Sequence, residues 1–193
     1  MLIVVRHGRT EANASGLLLG RRLDPGLDDL GRRQATALAG VLPEGGRVVC
    51  SPLRRTRETA AALGRPVEVD DRWIELDYGN LDGTPLREVP AEVWAAWRVD
   101  PTLAPGGGES LADLGARVRE ACADLAEDAA ERNVVVVTHV SPVKAALGWA
   151  LGVGDDVAWR AFVAPASITR ISTAGERPSL HGFNGCAHLD HLT

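Results

Sequence analysis

Leu2-Ile3-Val4-Val5-Arg6-His7-Gly8-Arg9-Thr10-Glu11-Ala12-Asn13 begins with four apolar residues and passes at once to a guanidinium, an imidazole and a glycine. Ile3, Val4 and Val5 are β-branched, and a short unbroken apolar run of this kind predicts a strand buried on both faces. Val134-Val135-Val136-Val137-Thr138-His139 repeats the layout and is the strongest strand signal in the chain. Arg47-Val48-Val49-Cys50 predicts another such strand, Val67-Glu68-Val69 an edge strand, and Ile168–Ser172 and Leu180–Phe183 two late strands.

Helical patterns separate these runs. Asp28 is placed to cap a helix over about 29–41, with Leu30, Ala37, Leu38 and Val41 at helical spacing and Pro43-Glu44-Gly45-Gly46 ending it. Ser51-Pro52 reads as an N-cap followed by proline at the first helical position, opening a helix to about Leu63. Ser110 with Asp113 forms a capping pattern for the longest helix, about 111–132. Ser141-Pro142 opens a last helix ending near Leu151-Gly152. Strands alternating with helices predict an α/β fold of three layers, a mostly parallel central sheet with helices on both faces. Residues 77–108, broken by Gly79, Gly83, Pro85, Pro90, Pro101, Pro105 and Gly106-Gly107-Gly108, read as a lid-like excursion with one helix near 91–98 inside a single domain, 1–193.

Composition narrows the function. A net charge of −5 argues against a general nucleic-acid or anionic-membrane surface, so an anion site has to be a local basic cluster. Of the 21 basic residues 20 are arginines, and Lys144 is the one lysine. No apolar stretch reaches the length of a membrane span. A strand beginning within two residues leaves no visible signal peptide. Cys50, Cys122 and Cys186 are odd in number and widely spaced, which fits reduced thiols in a cytoplasmic protein rather than disulfides or a zinc knuckle.

The strand ends carry the chemistry. Arginine is a fork-shaped donor that matches phosphate oxygens, neutral imidazole is a nucleophile, and glycine lets backbone approach a bound group. By itself His7 also fits a histidine satisfied in a strand-to-loop turn. Ser51-Pro52-Leu53-Arg54-Arg55-Thr56-Arg57 puts arginines in a first helical turn, where free N–H groups favour anions; Arg54 and Arg57 read as solvent-facing. In Glu75-Leu76-Asp77-Tyr78-Gly79, a carboxylate among apolar neighbours suits a general acid. With His139 at a second strand end, two imidazoles, two arginines and a carboxylate make a phosphoryl-transfer set in which fixed positive charge replaces a metal.

The chain resembles the histidine phosphatase superfamily, which includes phosphoglycerate mutases and small phosphatases. The resemblance rests on R-H-G-x-T-x-x-N from Arg6, S-P-L-x-R-x-x-x-T-A from Ser51, E-x-x-x-G from Glu75, Gly31-Arg32-Arg33-Gln34-Ala35, Gly107-Gly108-Glu109-Ser110 and His139, in the family's order over essentially the whole chain. It implies a phosphoglycerate mutase-like fold and hydrolysis through phospho-His7, without metal or cofactor, of a small phosphorylated metabolite. Arg6, Arg55 and His139 would bind the phosphoryl group, with Asn13, Gly20 and Val140 contacting substrate. Glu75 would be the acid and then the base, with Asp77 as its substitute.

The chain departs from the family where His-Gly becomes His139-Val140. Ala12 and Thr10 look more like the phosphatases than the mutases, and the excursion lacks the mutases' basic run. The alternatives are a cofactor-dependent mutase and a non-catalytic member binding a phosphorylated ligand. A homodimer is left open. Trp94 and Trp97, three apart on one helix face, either line a pocket for an aromatic leaving group or pack the lid. His181, His188 and His191 match no common zinc spacing.

Overall fold

Register places the catalytic candidates before any loop is considered. In the computed structural model, which describes residues 1–192, β1 (Leu2–Arg6) runs parallel to β4 (Val134–Thr138), with Arg6 opposite Thr138. β2 (Arg47–Cys50) flanks β4 on its other side, also parallel, with Cys50 opposite Val137. The residues that leave these three strands at their C-terminal ends, His7, His139 and Ser51, are therefore neighbours. The backbone bonds His7 N–H to Thr138 O (2.9 Å) and Ser51 N–H to Val137 O (3.1 Å) continue the ladders past the strand ends.

The sheet has six strands in the order β3-β2-β4-β1-β5-β6. β3 (Glu68–Val69) extends the parallel part, while β5 (Ile168–Ser172) and β6 (Ser179–Gly185) are antiparallel. Alternation along the strands makes the three layers expected. Leu2, Val4, Val49, Val134 and Val136 face a core shared with α5 (Leu111–Glu131) and α6 (Val140–Leu151). Ile3, Val5, Val48, Val135 and Val137 face a second core, which takes Leu38 of α2 (Asp29–Ala39) and Ala60 of α3 (Arg54–Ala61). No helix among the described residues is long and apolar enough to cross a membrane.

Several boundaries differ from expectation. Glu11–Ala14 forms α1, a one-turn helix held by a capping box between Thr10 and Asn13, an element absent from the helices expected. Ser51 does not cap α3, which starts at Arg54 after Leu53; the Ser51 hydroxyl sits 2.7 Å from His139 Nε2 instead. His139, not Ser141, occupies the cap position of α6. Gly8 serves packing rather than a ligand: a Cβ there would lie 2.5 Å from Gly31 O, and one on Gly31 would strike Arg9 O. The loop after β1 thus rests directly on the first turn of α2. The excursion carries α4 (Ala91–Val99) between short 3-10 turns.

Candidate active site

A cavity of about 520 Å³ lies at the C-terminal ends of β1 and β4, lined on its polar side by Arg6, His7, Arg9, Asn13, Glu75 and Ser141. Ligands bind at this end of open α/β sheets because helix N-termini and strand-end loops converge there.

His7 is 2% exposed. Its Nδ1 lies 2.7 Å from Gly8 O, and because a carbonyl only accepts, Nδ1 carries the proton and donates. Nε2 is left with its lone pair. Burial, and then the charges of Arg55 and Arg6, push the His7 pKa well below the usual 6.5, so the ring is neutral. This is the form a nucleophile requires.

His139 is fully buried, with its ring centroid 5.2 Å from that of His7. Arg55 Nε donates to its Nδ1 (3.1 Å), so Nε2 bears the proton and donates to Ser51 Oγ (2.7 Å). Burial and the nearby cations hold this ring neutral as well. His139, like Arg55, lies behind the residues that line the cavity; both its nitrogens are engaged here, and it meets the site through Arg55. Arg55 is also fully buried, and donates from Nη2 to Gly20 O (2.7 Å) and from Nη1 to Leu23 O (3.3 Å). Three of its five N–H groups are thus engaged.

Arg6 donates from Nη1 to Val163 O (2.7 Å), while its buried Nε has no partner among the described residues. Burial pushes its pKa down to about 10, with Glu75 opposing. A buried guanidinium with an unanswered N–H beside a cavity is suited to an anion.

Glu75, 3% exposed, is reached by three backbone donors. Oε1 accepts from Leu76 N–H (2.8 Å) and Ser141 N–H (3.2 Å); Oε2 accepts from Val140 N–H (3.1 Å). The last two belong to the first turn of α6, which therefore aims its N-terminus at this carboxylate. Thr138 Oγ1 donates to Trp73 O (2.5 Å) and ties the loop carrying Glu75 to β4.

Two residues expected to contact substrate have other hydrogen-bond partners in this structure. Val140 lines the cavity, but its N–H donates to Glu75. Gly20 is outside the lining: its N–H donates to Asp82 (2.9 Å) and its carbonyl accepts from Arg55. Asn13 does line the cavity; its Oδ1 is held by Thr10, and its amide N–H groups are unpaired among the described residues. Asp77 makes a turn, with Oδ1 accepting from Gly79 N–H (2.8 Å), and does not line the cavity. Arg54 and Arg57 are exposed, as expected.

Glu109 had no expected role beyond its place in the Gly107-Gly108-Glu109-Ser110 motif. Its Oε2 accepts from Arg21 (2.6 Å) and Arg117 (2.9 Å), and its Oε1 from Arg117 Nε (2.8 Å). Both guanidinium groups reach Glu75 O, at 2.6 and 3.4 Å. Glu109 thus fixes the backbone of Glu75 from beneath. The signal was present as the acidic residue of Gly107-Gly108-Glu109-Ser110, but its target is distant in sequence. Glu109→Gln is expected to lower kcat on alkyl phosphates by up to on the order of 100-fold with little change in KM, as a misplaced catalytic group does. An equal loss on p-nitrophenyl phosphate, whose leaving group needs no acid, would contradict this positioning role.

No group of three or more His, Cys, Asp or Glu side chains is arranged to hold a metal among the described residues. His188 Nε2 lies 3.1 Å from Ala166 O.

The family model described as histidine phosphatase superfamily (branch 1) matches residues 2–185. A bifunctional protein of Mycobacterium tuberculosis is 36% identical over 178 residues, 87% of this chain and 49% of that protein, so the chain spans about half that relative's length. Phosphoserine phosphatase 1 of Hydrogenobacter thermophilus is 33% identical over 198 residues, covering 97% of this chain and 93% of the relative. A mycobacterial glucosyl-3-phosphoglycerate phosphatase solved with VO3 superposes with a TM-score of 0.85 at 32% identity, covering 96% of this chain and 99% of that one.

Proposed function

Because this chain belongs to the histidine phosphatase superfamily, we propose that it is a phosphomonoester hydrolase working through phospho-His7, in one domain with residues 77–108 as its lid. The carrying observation is the His7 tautomer: a buried neutral imidazole whose Nδ1–H is fixed on Gly8 O, leaving the Nε2 lone pair on a ring that lines the cavity. The relatives named as phosphatases of small phosphorylated metabolites support the same reading.

In this mechanism Nε2 forms a bond to phosphorus as the ester P–O bond breaks. Arg6, through its unpartnered Nε, and Arg55, through its two uncommitted N–H groups, carry the charge on the phosphoryl oxygens. Glu75 delivers a proton to the departing alkoxide. Oε1 accepts two hydrogen bonds and Oε2 only one, so Oε2 retains the lone pair that holds the proton. The resulting carboxylate then takes a proton from water, whose oxygen attacks phosphorus and returns the N–P electron pair to Nε2. His139 and Ser51 keep Arg55 in place.

Arginines supply the positive charge here, so phosphate release from several monoesters should survive exhaustive chelation, and vanadate should inhibit by mimicking five-coordinate phosphorus. Loss of activity on chelation, restored by Mg²⁺ or Zn²⁺, would contradict the reading. So would turnover dominated by interconversion of 3- and 2-phosphoglycerate, which is mutase chemistry.

A further inference from the structure

Lys144, the single lysine, lines the cavity from the face of α6 that also presents Val140 and Ser141. Its Nζ donates one hydrogen bond, to Ala158 O at 2.7 Å. The other two N–H groups have no partner among the described residues, and Lys144 makes no ion pair there. Burial lowers the Lys144 pKa and the nearby Glu75 charge opposes this, but the Glu75 oxygens are held by backbone N–H groups and form no ion pair with Nζ.

The residue after the Lys144 anchor is Trp159, and it belongs to an aromatic wall. Its ring meets Trp97 edge-on at 5.0 Å and Trp94 at 6.2 Å; Trp94 stacks on Trp97 at 5.6 Å. Arg98 lies 5.4 Å from the centre of the Trp159 ring. Trp97 is buried, whereas Trp94 and Trp159 are half-buried and exposed Phe162 lines the same cavity. The phosphoryl chemistry uses none of these groups. A cavity of about 520 Å³, within the roughly 300–1,000 Å³ range of small-molecule sites, has room for more than a phosphoryl group. An ammonium with spare donors beside an aromatic corner, in which the Trp159 ring stands at 84° to Trp94, matches an anion carried on a flat apolar body that meets one ring by its face and the other by its edge.

We propose that the leaving group is a hydroxylated carboxylic acid with an aromatic or similarly flat apolar body, its carboxylate bound by Lys144 and its body lying against Trp94 and Trp159. This rests on the phosphatase reading and adds the substrate class to it. The probes are 4-carboxyphenyl phosphate and 4-carbamoylphenyl phosphate, which share shape and differ in charge. The intact protein is expected to favour the carboxylate in kcat/KM by roughly ten- to a hundredfold, the range of a charge-assisted hydrogen bond, chiefly through KM. In Lys144→Met that ratio should collapse towards one. A wild-type ratio near one needs no variant to overturn the inference, and a ratio unchanged in a folded Lys144→Met would do the same. Equal hydrolysis of both esters would leave the phosphatase reading standing without the subsite. No phosphate from either ester or from p-nitrophenyl phosphate would sink that reading and the subsite together.

Discussion

His7→Ala is expected to lower phosphate release from every monoester by on the order of a million-fold, the scale on which removing a covalent nucleophile acts elsewhere. The loss should fall on kcat. Arg6 and Arg55 remain, so vanadate or inorganic phosphate should still bind, and calorimetry can establish this on the folded variant. Nδ1 holds the His7 ring on Gly8 O, which leaves Nε2 as the reacting atom of the proposed mechanism. No other neutral imidazole among the described residues lines the cavity. His139, the nearest one, has both nitrogens engaged and cannot substitute without releasing Arg55 or Ser51. A residual rate within about tenfold of wild type would be far too high for a lost nucleophile and would move the reaction to another group.

Glu75→Gln is the second large effect, and its signature is selectivity. A general acid contributes on the order of 100- to 10,000-fold, in proportion to how poor the leaving group is. The variant should lose that much in kcat on alkyl phosphates and far less in phosphorylation by p-nitrophenyl phosphate. Since the same carboxylate activates water, dephosphorylation should then limit turnover and a burst of nitrophenol should appear. A glutamine amide cannot accept from Val140 N–H if it replaces Oε2, so some loosening at the start of α6 is expected. The nitrophenyl substrate controls for this, because a collapsed site would harm both. Asp77→Asn should leave the dependence on leaving group intact, given that Asp77 is a turn residue away from the cavity. The reverse pattern would make Asp77 the acid.

The strand-end residues were legible because local pattern and topology agree. Apolar runs at 2–5, 48–50 and 134–137 have no polar face, so they had to be interior strands, and parallel register then forces His7, Ser51 and His139 together. Glu75 was legible from its apolar neighbours and its place in the third motif. The misses share one physical cause: a backbone N–H or ring nitrogen can be spent on a partner distant in sequence. Val140 N–H goes to Glu75, Gly20 to Asp82 and Arg55, and the Ser51 hydroxyl to His139 rather than to its own helix. None of these pairings has a spacing that a sequence displays. Glu109 and Lys144 stayed silent for the same reason, since their meaning depends on Glu75 O and Ala158 O. The two readings of the lid tryptophans are not exclusive: both rings line the cavity, and Trp97 is also buried against Trp94 and Trp159.

In the proposed mechanism the phosphoryl group passes through Nε2 of His7. Rapid quenching of the intact protein with a ³²P-labelled monoester, followed by peptide mapping and ³¹P NMR, tests it most directly. An acid-labile, base-stable phosphoenzyme on His7 is expected, bonded through Nε2 because Nδ1 is fixed on Gly8 O, and absent from His7→Ala. A phosphoenzyme that persists in His7→Ala, or one bonded through Nδ1, would contradict it.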